Sequence, residues 1–244
     1  MKARHRERWA LGLTGLGLVA LFEGLPMLDL QMASLFHGEA GDFPWAGQLW
    51  VQALYRGTPW LGRALFLGTA LVLLSTWIRS SLVLRPHWRR VAAVHLVMLV
   101  GVGLVVHLAF KERWGRPRPY EVTAFAGSQA YVPALRPGGP CRGNCSFVSG
   151  HAATGFALVS LATFSTRSRR RKWFVWALCG GLLIGAGRVV QGGHFVSDVL
   201  FAGWFMWVVT ALVREAWLRV ALWRRSRDAR HWRILHESSV RRVQ

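Results

Sequence analysis

Acidic side chains are scarce in this 244-residue chain: 11 Asp and Glu stand against 31 Lys and Arg, a formal charge of +20. Charge of either sign is also sparse, at 17% of residues against about 25% in an average soluble domain. Lysine is confined to Lys2, Lys111 and Lys172, so arginine supplies nearly all of the positive charge. Cysteine is confined to Cys141, Cys145 and Cys179, which excludes a disulfide-framework mini-protein. Apolar residues, by contrast, make up 52% of the chain, with 14 Trp and 13 Phe, and so much surface to bury excludes intrinsic disorder. A charge of +20 taken alone suggests a nucleic-acid partner. The arrangement of the arginines argues against one, because they cluster between apolar runs.

The clearest run, Val91 to Phe110, has no Asp, Glu, Lys or Arg and matches the roughly 20 residues that a membrane-spanning helix requires. Further candidates are Trp9 to Pro26, Pro59 to Ile78, Ser149 to Thr166, Trp173 to Gly187, and Val199 to Val213. Glu23 and Arg63 lie near helix ends, where charged groups reach the interface. Core helices of a soluble bundle would show a polar face that these runs lack. The first segment has the basic start and apolar stretch of a signal peptide, but no small-x-small cleavage site follows it, so it reads as a retained helix. The expected fold is all-α: a polytopic integral membrane protein with six transmembrane helices.

Orientation follows from the basic residues. Lys2, Arg4, Arg6 and Arg8 precede the first helix; Arg79, Arg85, Arg89 and Arg90 separate the second from the third; Arg167 and Arg169 to Lys172 separate the fourth from the fifth; the tail from Arg214 is arginine-rich. The positive-inside rule puts all four clusters, and both termini, in the cytoplasm. Most of the charge is then a topology signal and a contact with anionic headgroups, and no nucleic acid is expected. Residues 1–213 form the membrane domain. Residues 214–244 form a basic tail, with Trp217, Val220, Trp223, Trp232 and Leu235 among its arginines; it reads either as a helix lying on the inner leaflet or as an extension of helix six.

Three clusters fall at the outer helix ends of this topology. The first, Lys111 to Pro119, contains Lys111, Arg113, Arg116 and Arg118, a cationic concentration that the positive-inside rule does not explain. The second runs from Cys145 to His151 and opens helix four, whose free amides at Ser149 and Gly150 suit a phosphate. The third, Gly187 to Asp198, holds Arg188, His194 and Asp198. If helix six begins near His194, that residue and Asp198 share a face, and the carboxylate fixes the imidazole tautomer. Two histidines, a carboxylate and several cations are the equipment of phosphoryl transfer.

At these residues the chain resembles the type-2 phosphatidic acid phosphatase superfamily, whose signature is Lys-x6-Arg-Pro, Pro-Ser-Gly-His and Ser-Arg-x5-His-x3-Asp. Lys111 and Arg118-Pro119 match the first element; Val148-Ser149-Gly150-His151 matches the second with Val in place of Pro; Gly187-Arg188, His194 and Asp198 match the third with Gly in place of Ser. The resemblance implies that His194 attacks phosphorus to form a phosphohistidine and that Asp198 orients it. His151 protonates the leaving oxygen and then activates water, while Lys111, Arg118 and Arg188, with the amides around Ser149 and Gly150, bind the phosphate. No metal or cofactor is expected, since the outer face offers no carboxylate cluster for one. The implied substrate is a lipid phosphate, acted on at the periplasmic side of a bacterial inner membrane. The Cys145-to-His151 context is similar to lipid A phosphatases and favours a glycolipid phosphate. Undecaprenyl pyrophosphate, phosphatidylglycerol phosphate, a lipid phosphotransferase and a non-catalytic lipid-binding scaffold stand as alternatives.

Cys141 and Cys145 stand open between a disulfide, free thiols and half of a metal site. Arg113 and Arg116 stand open between a second anion and headgroups. His95 and His107 read as interhelical hydrogen-bonding residues. The Pro- and Gly-rich stretch Val132 to Pro140 reads as a loop over the site, and Leu28 to Pro59 as an interfacial segment. We predict that a reporter fused after Gln244 is cytoplasmic and one inserted near Gly138 is periplasmic; protease protection or enzymatic-reporter assays giving the reverse pattern would refute the topology.

Overall fold

The computed structural model describes residues 2–78 and 87–241, and the side chains of all but a few of these up to Arg227. Arg79 and Arg85 lie outside the described residues, as do the side chains of Arg167, Trp232 and Leu235. The described residues form helices, turns and loops with no strand; one isolated bridge joins Val122 to Gln129. Helix α1 spans Lys2–Gly24 and turns sharply into α2, Leu28–Ser34. Helix α3 covers Leu49–Ile78, and α4 starts at Trp88–Val97 and continues, π-wound, over Met98–Lys111. After a long loop come α5 (Gly150–Phe156), α6 (Val159–Phe164), α7 (Arg167–Val190) and α8 (Val196–Arg241).

Among the described residues four helices are long and apolar enough to cross a membrane, and the α1–α2 pair, bent by 79°, makes a fifth candidate. The sequence reading expected six. Charged residues occupy the first turns of α1, and α5 and α6 together run only from Gly150 to Phe164. At about 1.5 Å per residue that falls short of a hydrocarbon core of about 30 Å. One boundary also differs: helix α3 begins at Leu49, so Pro59 lies inside it. The chain beyond Val213 continues α8 without a break, in line with the second of the two readings of the tail.

The apolar window of α3 has none of its residues buried, and Leu67, Leu71, Leu74 and Trp77 face outward, as do Leu104 and Leu108 on α4 and Trp176 and Leu183 on α7. A belt of this kind is foreign to a water-exposed surface. Inside it, α8 is the central element. Phe201 and Met206 are fully buried, and Trp204 donates its indole N–H to the Leu11 carbonyl of α1 at 3.0 Å. At one end, Arg8 pairs with Glu215 at 2.7 Å and Arg214 with Glu7 at 2.6 Å, so the start of α1 lies beside the middle of α8.

The opposite end of α8 meets the loop between α4 and α5. That loop is laced to the end of α4: the Cys145 N–H donates to Lys111 O (3.0 Å), Ser146 to Arg116 O (2.8 Å) and Cys141 to Gly115 O (3.0 Å). Gly115 makes this possible. Its φ is +80°, and a β-carbon there would stand 2.5 Å from the Gly139 carbonyl oxygen. Cys141 and Cys145 are joined as a disulfide, which closes a small ring within the same loop.

Candidate active site

A cavity of about 190 Å3 opens where α3, α4, α5 and α7 meet the loops. Lys111, Arg118, Gly150, His151, Arg188 and His194, distributed over more than eighty residues of chain, all line it. Among the described residues no carboxylate lines it, whereas Lys111, Arg118 and Arg188 do, so the cavity is cationic. Asp198 and Ser149 stand behind the wall.

His194 sits in the turn before α8, which starts two residues later than the sequence reading placed it. It is 1% exposed. Its Nδ1 lies 3.5 Å from Asp198 Oδ2 and 3.4 Å from Ser146 Oγ, leaving Nε2 as the unengaged ring nitrogen. Asp198 Oδ2 also accepts from Ser146 Oγ at 2.5 Å and from the Phe195 N–H at 2.8 Å. Burial, reinforced by Lys111, Arg188 and Arg118, holds the His194 pKa well below the ordinary imidazole range, so its neutral, nucleophilic form prevails at pH 7. Gly193 leaves room for the Arg188 guanidinium: a β-carbon there would stand 2.2 Å from it, so a side chain would displace that cation.

The cations are held in different ways. Lys111 Nζ donates to Asn144 Oδ1 and Cys145 O, both at 3.2 Å. Arg118 Nη2 donates to Asn144 O at 2.8 Å, and the Arg118 N–H to Glu121 Oε2 at 2.7 Å. Arg188 Nη1 donates to Gln191, its guanidinium lies 4.6 Å from the Tyr55 ring centroid, and its buried Nε makes no hydrogen bond among the described residues. A buried donor without a partner is costly, and an oxyanion would satisfy it.

His151 is positioned by α3. Pro59 has no N–H, so the carbonyl four residues before it, that of Tyr55, lacks its usual helical donor. His151 Nε2 lies 3.2 Å from that oxygen. A carbonyl only accepts, so Nε2 carries the proton and Nδ1 is left to exchange one. The His151 ring also stacks on Tyr55, with centroids 5.2 Å apart. Proline inside α3 thus presents the acceptor that orients a site histidine.

Two assignments require correction. The Ser149 N–H, read from sequence as a phosphate ligand, donates to the Asp198 carbonyl at 3.1 Å and so ties α5 to α8, while the Ser149 hydroxyl accepts from Ala152 N and caps α5 itself. Arg116 touches neither headgroups nor a second anion. It is fully buried, with Nη1 on Asp198 Oδ1 (2.5 Å) and Nη2 on Asp29 Oδ2 (2.7 Å). Burial disfavours its charge, but Asp198 and Asp29 outweigh that and raise its pKa above the ordinary arginine value. Sequence reasoning also missed Tyr55, Thr58, Asn144 and Thr154 on the cavity wall. His107, read as an interhelical residue, lines the cavity, whereas His95 does bond across helices, to Thr69 Oγ1 at 2.9 Å. Only Pro59, inside a long apolar run, offered a signal for the α3 contribution.

Taken together, an apolar helical shell surrounds a buried cationic cavity lined by three histidines, an arrangement suited to an anionic group. The family model described as the PAP2 superfamily matches residues 91–221, more than half of the chain, and the protein belongs to this superfamily, that of the type-2 phosphatidic acid phosphatases. It is similar to the lipid A 4'-phosphatase of Francisella tularensis subsp. novicida (strain U112), 41% identical over 125 residues that cover 49% of this chain and 56% of that one. It is also similar to the lipid A 4'-phosphatases of Rhizobium etli (39% over 107 residues; 44% and 41% of the two chains) and Rhizobium leguminosarum (38% over 107 residues; 44% and 46%). The matched part of the chain thus spans about half the length of these curated relatives. No solved structure shows significant similarity to the chain.

Replacing Arg116 by Ala leaves Asp29 and Asp198 buried without their cation. We expect a loss of about 3–5 kcal/mol, against less than about 1 kcal/mol for the exposed Arg8→Ala, from thermal melts in detergent. Pro59→Ala restores an N–H that competes with His151 for the Tyr55 carbonyl. Helix stability should hold or rise in this variant while turnover falls by about ten-fold, and steady-state assays paired with melts would detect the split.

Proposed function

We propose that the protein is an integral-membrane phosphatase that hydrolyses a lipid phosphate, with a lipid A-type glycolipid phosphate as the favoured substrate, at the periplasmic face of a bacterial inner membrane. The observation that carries this reading is the neutral, Asp198-backed His194 in a cavity ringed by Lys111, Arg118 and Arg188. His194 Nε2 attacks phosphorus in line; the P–O bond to the lipid breaks as the P–N bond forms, and His151, which takes up a proton at Nδ1 as the anionic substrate binds, gives that proton to the departing oxygen. Water then attacks the phosphohistidine, His151 takes its proton, the P–N bond breaks, and inorganic phosphate leaves. The three cations neutralise the equatorial oxygens, and the arginines can grip them in pairs. No step requires a metal ion.

A lipid substrate is favoured because Tyr55, Thr58 and Pro59 of the cavity wall belong to α3, the helix whose apolar window is wholly unburied. A headgroup phosphate can thus enter the cavity while its chains stay in the bilayer. The printed names of the relatives favour lipid A. The periplasmic assignment is supported by the arginine clusters at the far end of the bundle and by the Cys141–Cys145 disulfide beside the site. On this reading all six apolar segments belong to the membrane domain, with α5 and α6 making the shortest.

Purified protein in detergent should release inorganic phosphate from phosphorylated lipid A with chelator present. His194→Ala and His151→Ala should each lose roughly a thousand-fold or more in kcat, while His95→Ala retains near-normal turnover. Strict dependence on a divalent cation, or an active His194→Ala, would reject the mechanism.

A further inference from the structure

The family-matched residues begin at 91, yet the buried network behind His194 reaches outside them to Asp29 on α2. Asp29 is 1% exposed, and both of its oxygens are engaged. Oδ1 accepts from the Ser197 N–H at 3.0 Å; Oδ2 accepts from Arg116 Nη2 at 2.7 Å and from the Ser197 hydroxyl. Arg116 Nη1 reaches Ser197 Oγ at 2.8 Å and Asp198 Oδ1 at 2.5 Å, Nε donates to Val132 O at 2.9 Å, and the guanidinium lies 4.3 Å from the Phe195 ring centroid. Neither Asp29 nor Arg116 lines the cavity.

We propose that Asp29 is a positioning residue for the His194–Asp198 pair, acting through Arg116 and through the first turn of α8. This rests on the reading of His194 as the nucleophile. The first turn of a helix carries N–H groups without helical partners. Asp29 supplies from a distant element the acceptor that a local cap would otherwise provide to Ser197, and so fixes the helix that presents Asp198. It also holds the far side of the Arg116 fork, which sets where the near side meets Asp198. Two carboxylates share one guanidinium, so the cluster keeps a net negative charge behind His194. That charge favours the ring as it gains positive character on accepting the phosphoryl group. With Asn at position 29 the net charge is gone, and Arg116 bears on Asp198 alone.

Because the network lies behind the cavity wall, its loss should affect turnover and spare substrate binding. The test uses the full-length protein in detergent with phosphorylated lipid A as the probe. Wild type and His194→Ala come first: no phosphate release by the former, or release by the latter, overturns the functional reading and this inference with it. With those controls in place, Asp29→Asn should lower kcat about 30-fold with KM within about two-fold of wild type. In an Arg116→Lys background, itself impaired, the same change should add less than about three-fold, because the fork, its main route, is already lost and only the contact with Ser197 remains. Unchanged kcat, a loss expressed in KM, or equal losses in both backgrounds would overturn the inference while leaving the functional reading intact. Should circular dichroism and gel filtration show that Asp29→Asn does not fold, Ser197→Ala decides. It removes only the hydroxyl between Asp29 and Arg116, and should cost kcat about five-fold at constant KM; unchanged kcat would overturn the inference.

Discussion

A single guanidinium organises the half of this molecule that matters for chemistry. Arg116 is fully buried, and its charge survives there only because Asp29 and Asp198 grip it from two sides. Desolvating such a group is expensive unless every donor is matched, and the match comes from three separate parts of the chain: α2, the loop after α4 and the first turn of α8. The same contact that satisfies Arg116 fixes Asp198, and Asp198 with Ser146 fixes Nδ1 of His194. Stability and site geometry therefore share one network. Loosening it at any corner would move the imidazole proposed to react.

The cavity in front of this network inverts its electrostatics. Behind His194 stand carboxylates; before it stand Lys111, Arg118 and Arg188. Cations gathered in a largely apolar shell repel one another, and a bound phosphate relieves that repulsion while filling their unused donors, of which Arg188 Nε is the clearest. Preorganisation of this kind suits phosphoryl transfer, where positioning and charge neutralisation do most of the work. A helix-breaking residue adds to it: Pro59 leaves the Tyr55 carbonyl available, and His151 occupies it. A local irregularity in a lipid-facing helix becomes an orienting contact for the proposed acid and base.

The apolar runs and the spacing of the three motifs were legible because each is a local property of the chain. Runs without charge fold as helices wherever the backbone cannot bond to water, and the described residues are all-helical accordingly. The span count was less legible. Whether Gly150–Phe164 or the bent α1–α2 pair crosses a bilayer depends on packing and tilt, which composition does not report. Ser149 shows the limit at the level of one residue. A serine at a helix start reads as an anion ligand, but its amide is taken by Asp198 O, a partner nearly fifty residues away in sequence.

Sequence alone determined the helical class and singled out Lys111, Arg118, His151, Arg188, His194 and Asp198, which the fold gathers in and behind one cavity, because residue type and order are sufficient for that. Tertiary structure decided that Arg116 is a buried strut, that Asp29 joins the buried network behind His194, and that the carbonyl freed by Pro59 meets His151. Each of these depends on a pairing between distant segments, and such a pairing exists only once folding has removed water and left a polar group one partner to choose.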